Sequence, residues 1–474
     1  MNHWFSRRHP RYIRSLVYML QASEYNIRDF FRWHERVKDF CNVEKRGRLV
    51  FTPKAKILYA VGWVAVFLAL GIAGFVFLNV GHPWNYLFSA IVIFEVPFIA
   101  LSILIVSILA LRFFQMPIEQ FVMTRTQKRL AAHSGIKIAI AGSYGKTSTR
   151  EILKTVLSSG KRVAAPEGSH NTPLGIATFV RKLKGDEDVL IFELGEYYPG
   201  DVRKLARMIR PDWGVITGVN EAHLEKFKTL EQTANTIFEL AEFIEPTKLY
   251  INGENDPAKN RRINGNVLYS REGASTWQVS SARTGLEGTT FTLSNDTSTL
   301  KVRTRLLGFH MIGPLVAAVD IAQKLGFAIS EIESGIEKTK PFAHRLEPKQ
   351  WPDGVTFLDD SYNGNPDGVR AVIAFLSSLP NRCFYVTPGL VESGRRVEEV
   401  HEEIGNQLAK ADIEKVVLIR NSVTSHIDAG LNKAGFKGQV IWYDDMPSCL
   451  AALHTLSLPG DVILVQNDWP DQYV

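Results

Sequence analysis

Two stretches of the chain, residues 57–80 and 87–111, are apolar on every face; the first carries no charge and the second only Glu95. Each exceeds the roughly 20 residues a helix needs to cross a hydrocarbon core of about 30 Å. The pattern therefore predicts a two-helix transmembrane hairpin, with Trp84 and Tyr86 in the connector at interface depth. Beyond it the period changes. Short apolar runs at 136–141, 188–192 and 213–218, with helical periodicity at 150–157, predict a doubly wound α/β sheet. Residues 267–302 alternate apolar and polar positions between turn residues, as a small β excursion does. Helical stretches at 315–325 and 329–338 then precede strands at 356–358, 384–387, 415–419, 440–442 and 461–465, which predicts a second, Rossmann-like α/β domain.

Composition adds little, since 45% hydrophobic and 22% charged residues are ordinary for a globular chain. Charge adds more. The net charge is +6, and the basic residues crowd toward the first 56 positions beside the apolar runs, so a membrane lipid surface is the expected partner and nucleic acid is not. Lys45, Arg46, Arg48, Lys54 and Lys56 precede the first run, and Arg112, Arg125, Lys128 and Arg129 follow the second. Cationic flanks stay on the cytoplasmic side, so a multi-pass protein of the cell membrane with its catalytic domains in the cytoplasm is expected. Arg7, Arg8, Arg11 and Arg14 among Trp4, Phe5, Tyr12 and Leu16 fit an amphipathic helix on anionic lipid or a plain solvated helix. Glu95 marks a functional or helix-pairing position, or a hydrated one near the outer interface. Cys41, Cys383 and Cys449 lack metal-ligand spacing and form no disulfide framework.

The strand at 136–141 runs into Gly142, Ser143, Tyr144, Gly145, Lys146, Thr147 and Ser148 and then a helix. Strand, glycine loop and helix form the context of a P-loop. Backbone N–H groups close around phosphate oxygens, Lys146 brings a point charge, and the Thr147 hydroxyl ligates Mg²⁺. Ile140 stands where the general pattern has a glycine. The next two strands deliver Glu193 and His223 to the same sheet edge, where ligands of a doubly wound sheet bind. Thr147, Glu193 and His223 are thus the candidate metal ligands.

In that order, Gly142-x-x-Gly145-Lys146-Thr147, Glu193-Leu194-Gly195 and His223-Leu224-Glu225 resemble the central domain of the Mur ligases. Residues 359–366, DDSYNGNP, are similar to the signature of the branch that adds D-alanyl-D-alanine to the muramyl tripeptide. His344-Arg345-Leu346-Glu347 resembles the arginine motif opening that family's third domain, and residues 387–394 with His401 and Gly405 resemble a further part of it. The resemblance runs from 136 to 474 and implies an ATP-dependent, Mg²⁺-requiring carbon–nitrogen ligase. ATP would phosphorylate a carboxylate, and an amino acid or dipeptide amine would displace the phosphate. Lys146, Glu193, His223 and Arg345 would carry the chemistry. Gly142, Ser143, Gly145, Lys146, Thr147, Ser148, Asn252, Asp256, Arg345 and Asp360 would hold the nucleotide. Asn171, Thr172, Ser361, Asn363 and Asn365 would line the substrate cleft. Glu392 and His401 are further candidates.

Three departures shape the expectation. Mur ligases usually present a carbamylated lysine where this chain has Ile237, and Glu239 is a candidate substitute. The family's HNxxN element reads His310-Met311-Ile312-Gly313-Pro314. Its UDP-sugar domain has no room between the second apolar run and the P-loop, which favours a lipid-linked peptidoglycan precursor as acceptor. The expected organisation is a basic cytoplasmic segment at 1–56, the hairpin at 57–114, a linker at 115–134, the central ATP-binding domain at 135–306 and the C-terminal domain at 307–474. Other wall-synthesis enzymes are candidate partners. The rival reading, from Ile237 and Met311, is a degenerate ATP-binding scaffold or regulator of wall synthesis. Polyglutamate-adding ligases also lack the UDP cradle, but DDSYNGNP points to the D-alanyl-D-alanine branch.

Overall fold

The computed structural model describes residues 6–37, 39–44, 48–168, 170–220, 227–362, 364–390 and 396–467. The chain divides into two compact units, one up to Gln120 and one from Phe121.

The helices Pro53–Asn79 and Trp84–Ala132, the second of which runs on past Gln120, are long and apolar enough to cross a membrane. Thr52 caps the former by accepting the Ala55 N–H at 3.2 Å, and Pro53 opens it where a missing N–H costs nothing. Small residues Gly62, Ala65, Ala69 and Ala73 are buried while Phe67, Leu68, Phe75 and Leu78 are exposed. That inside-out distribution suits lipid, where small residues let helix backbones approach. Polar side chains near the connector bond within the hairpin: Ser89 donates to the Ala73 carbonyl at 2.9 Å and Asn85 to that of Phe77 at 3.2 Å.

Two expectations change. The helix Tyr12–Ala22 does not lie on a surface: Leu16, Val17, Met19 and Leu20 are fully buried, in one core with Phe30, Phe40, Leu58, Leu104 and Ile108. Arg8 also reaches the carbonyl of Phe94 at 3.1 Å, alongside the second helix. The stretch expected as linker is helical as far as Ala132, which leaves residues 133–135 alone before the first strand.

The second unit holds two sheets. Strands β1 (Ile136–Ala141), β2 (Val163–Ala164), β3 (Val189–Glu193), β4 (Trp213–Ile216), β5 (Leu249–Asn252) and β6 (Val267–Ser270) pair in parallel in the order β6-β5-β4-β1-β3-β2. An antiparallel extension, β7 (Gly273–Ala274), β8 (Trp277–Gly285), β9 (Gly288–Ser294) and β10 (Thr299–Thr304), follows beyond β6. β1 is buried on both faces, as a central parallel strand must be. Ile138 and Ile140 pack with the helices Lys146–Leu157 and Ile312–Lys324, and Ala139 and Ala141 with Phe192, Val202 and Ile216. The register sets Ile140 beside both Glu193 and Val215, so the carboxyl ends of β1, β3 and β4 finish together.

The second sheet runs β11 (Glu347–Gln350), β12 (Thr356–Asp360), β16 (Val462–Gln466), β13 (Cys383–Thr387), β14 (Lys415–Ile419) and β15 (Gln439–Tyr443), all parallel but for β11. Helices cover both its faces over separate apolar clusters, the doubly wound arrangement expected from the alternation.

Candidate active site

At the carboxyl end of β1 the chain turns through Gly142 and Gly145, with φ of 145° and 73°. A side chain at Gly142 would run into Thr217 Oγ1, so only glycine lets the loop pass this close to β4. The loop ends at the N-terminus of the helix Lys146–Leu157, whose first N–H groups and dipole favour an anion.

Lys146 turns its ammonium back over the loop, bonding the Gly142 carbonyl and, at 2.7 Å, Glu196 Oε1. Thr147 Oγ1 donates to Glu193 Oε2 at 3.1 Å, and the same oxygen takes Arg150 Nη1 at 3.2 Å. Glu193 is 4% exposed and Glu196 3%. Burial pushes the Glu196 carboxyl up to about 7 against the pull of Lys146, and the charge of Glu193 adds to the rise. A hydroxyl and two buried carboxylates at the mouth of a phosphate loop are the oxygen donors a hard divalent cation prefers, so Thr147 and Glu193 fit Mg²⁺. His223 lies outside the described residues.

Beside the loop opens a cavity of about 470 Å³, a volume in the range of small-molecule sites. Tyr144, Gly145, Ser148 and Thr217 form one wall, Asn252, Glu254, Tyr269 and Arg271 a second, His310 and Met311 a third, and Asp367, Arg370 and Phe375 a fourth. Burial lowers the His310 pKa to about 4, so this imidazole is neutral. Both sheets' domains thus enclose the space. Ser143 Oγ accepts the Asn220 N–H at 3.2 Å, and Asn220 reaches across to Asn365 Oδ1 at 3.1 Å.

Across the cleft Arg345 stacks over Tyr362, 4.7 Å from the ring centre. Burial lowers its pKa, while Asp360, Tyr362 and Glu193 pull the other way, which sets the guanidinium within electrostatic reach of the Glu193 carboxylate. Asp360 accepts the Leu346 N–H at 3.0 Å and Gln466 Nε2 at 2.8 Å, and burial raises it to about 6. It borders the arginine segment and not the cavity.

Other candidates serve first as local scaffolding. Thr172 and Asn365 cap the helices Pro173–Lys182 and Pro366–Ser377, accepting the N–H of Gly175 and Gly368. Asn252 donates to the Thr217 carbonyl at 2.8 Å. Asp256 opens a short helix outside the cavity lining, and its neighbour Asn255 pins Val219 through both its N–H and its carbonyl. Ser361 Oγ donates to Asp359 Oδ1 at 2.6 Å. The backbone oxygen of Asn171 takes the Gly195 N–H at 3.0 Å, while its side-chain oxygen is buried without a hydrogen-bond partner among the described residues. His401 is fully buried, its Nε2 accepting the Leu390 N–H at 2.8 Å, so it shapes the loop after β13. Asn363 and Glu392 lie outside the described residues.

Glu239 is not free to stand in for the family's lysine. Its two oxygens accept the N–H groups of Gly200 at 3.0 Å and Arg203 at 2.9 Å, capping the helix Asp201–Ile209. Sequence reasoning passed over Glu196 and Arg150. The signal for the former was present, a second acidic residue three places beyond Glu193 after a buried strand.

Residues 140–322 match the Mur ligase middle domain and residues 344–466 the Mur ligase glutamate ligase domain. The UDP-N-acetylmuramoyl-tripeptide–D-alanyl-D-alanine ligase of Mycobacterium tuberculosis is 28% identical over 371 residues, 72% of each chain. The Escherichia coli enzyme of the same name is 26% identical over 291 residues, 60% of this chain and 64% of that one. In fold, MurF from Acinetobacter baumannii superposes with a TM-score of 0.66 at 21% identity, covering 74% of this chain and 77% of that one. MurF from Thermotoga maritima in complex with ADP gives 0.64 at 24%, covering 74% and 80%. With the two domain matches together spanning most of the chain, the protein belongs to the Mur ligase family, ATP- and Mg²⁺-dependent ligases, and its relatives are of the MurF type.

Proposed function

We propose that this MurF-like ligase joins an amino acid or dipeptide to a lipid-linked peptidoglycan precursor at the cytoplasmic face of the cell membrane, by way of an acyl phosphate. The observation that carries the reading is the convergence of Lys146, Thr147 and Glu193 on one phosphate loop beside a cavity of about 470 Å³. Lys146 exchanges its carboxylate partner for the β- and γ-phosphates and neutralises charge moving onto the departing ADP. Mg²⁺ held at Thr147 and Glu193, with His223, supplies further charge neutralisation there. Arg345 approaches from the other domain and adds positive charge at the transferring phosphoryl group. By the family resemblance, Asn171 and Ser361 serve the acceptor and amine side.

Two features support the lipid-linked acceptor. Residues 133–135 are all that separate a helix from the first strand of the nucleotide-binding sheet, which leaves no place there for a domain that grips a UDP-sugar. The apolar hairpin would hold the enzyme on the surface where a lipid-linked substrate is concentrated. The test gives full-length protein in nanodiscs Mg-ATP, D-alanyl-D-alanine and either soluble UDP-muramyl-tripeptide or its lipid-linked counterpart, with products weighed by mass spectrometry. Faster turnover of the lipid-linked form is expected. Equal or faster turnover of the soluble form overturns the lipid preference, and ADP release without a ligated product points to a different amine. No nucleotide turnover under any condition sustains the scaffold reading.

A further inference from the structure

We propose that Glu196 is a further carboxylate of the metal–phosphate site, supplying to the nucleotide's divalent ions the negative group that position 237 does not provide. This rests on the P-loop reading above. The side chain is 3% exposed; Oε1 holds Lys146 at 2.7 Å, and Oε2, equally buried, has no hydrogen-bond partner among the described residues. A buried carboxylate oxygen without a donor is costly unless a cation meets it. Glu193, the candidate metal ligand three residues earlier, is close enough for its charge to be felt at Glu196. Two carboxylates in one desolvated pocket repel each other, and a divalent ion between them reverses the sign of that interaction.

The neighbouring alternatives are spent. Ile237 is fully buried in the apolar cluster with Phe192 and Ile216 and offers no ligand atom, and Glu239 has both oxygens bound to a helix N-terminus. The Lys146 ammonium is shared between the Gly142 carbonyl and Glu196, and phosphate groups entering the loop draw it toward themselves. When phosphate takes it, Glu196 loses its cation inside a pocket from which water is largely excluded, and a divalent ion is the class of group that replaces it.

The experiment follows Mn²⁺ binding to the full chain with ADP by electron paramagnetic resonance, for the parent and Glu196→Gln, with metal-free ADP binding measured alongside. Expected is a Mn²⁺ affinity at least tenfold weaker, or one ion fewer bound, in Glu196→Gln, with metal-free ADP held as tightly or more tightly because Lys146 is released. Parental Mn²⁺ affinity and stoichiometry in that variant overturn the proposal alone. Should Glu196→Gln fail to fold, Glu196→Asp decides: a few-fold weaker Mn²⁺ binding supports the role and an unchanged affinity overturns it. A parent that takes up neither ADP nor Mn²⁺ sinks the P-loop reading itself.

Discussion

The Asn220 amide, four residues past the end of β4, donates to Asp367 Oδ2 at 2.8 Å in the first turn of the helix Pro366–Ser377. With its bond to Asn365, this amide ties the nucleotide-binding sheet to the domain that closes over it, at the rim of the shared cavity. Asn220→Ala is expected to weaken ADP binding roughly three- to tenfold, the worth of one to two such bonds. Calorimetric titration with ADP checks it, and a melting temperature within a few degrees of the parent separates domain closure from folding.

Lys146→Ala should remove product formation, with kcat/KM falling by about 10³ or more, the scale for deleting a charge aimed at a transition state. Coupled ADP-release assays read the loss. Activity within tenfold of the parent would take the phosphate loop out of the mechanism.

Gly142→Ala tests the loop's geometry without touching a charge. The φ of 145° and the crowding against Thr217 leave no room for a methyl group. A loss of about 2 kcal/mol or more in stability is expected. Denaturant melts measure it, and ADP binding should fail in whatever protein folds.

His401 makes stability depend on pH. Burial lowers its pKa to about 4 from the ordinary 6.5, so the unfolded chain binds its proton first as pH falls. Stability contributed by the neutral ring is whole above about 6.5 and is lost as pH drops toward 4, by on the order of 3 kcal/mol. Urea melts between pH 7 and 4 should show that slope. His401→Gln should flatten part of it, with His310, shifted in the same direction, accounting for some of the remainder.

Glu239→Ala should destabilise by about 1 kcal/mol through the uncapped helix Asp201–Ile209, as cap losses do. Mn²⁺ affinity in the ADP complex should stay at the parental value.

The phosphate loop was legible because strand, glycines, lysine and helix are contiguous and each step follows from local chemistry. Glu196 was legible only as an acidic residue three places past Glu193; its role depends on Lys146 across the sheet edge, a pairing no spacing reveals. Thr172 and Asn365 show a different ambiguity. Thr-Pro-x-Gly and Asn-Pro-x-Gly read as polar cleft residues, yet both open helices, since an oxygen before a proline at the first helical position is also the commonest capping chemistry. The segment Tyr12–Ala22 was misjudged for a third reason: its partners lie in the hairpin, and burial on several sides leaves no amphipathic imprint that distinguishes a core helix from a lipid-bound one.

Ile237 reaches beyond packing. A lysine at that place becomes a metal-facing anion only after dissolved carbon dioxide adds to its amine, which ties turnover to bicarbonate supply. A hydrocarbon side chain sealed in the core has no nitrogen to react. Turnover by this ligase should therefore be the same in degassed, bicarbonate-free buffer as in buffer equilibrated with air.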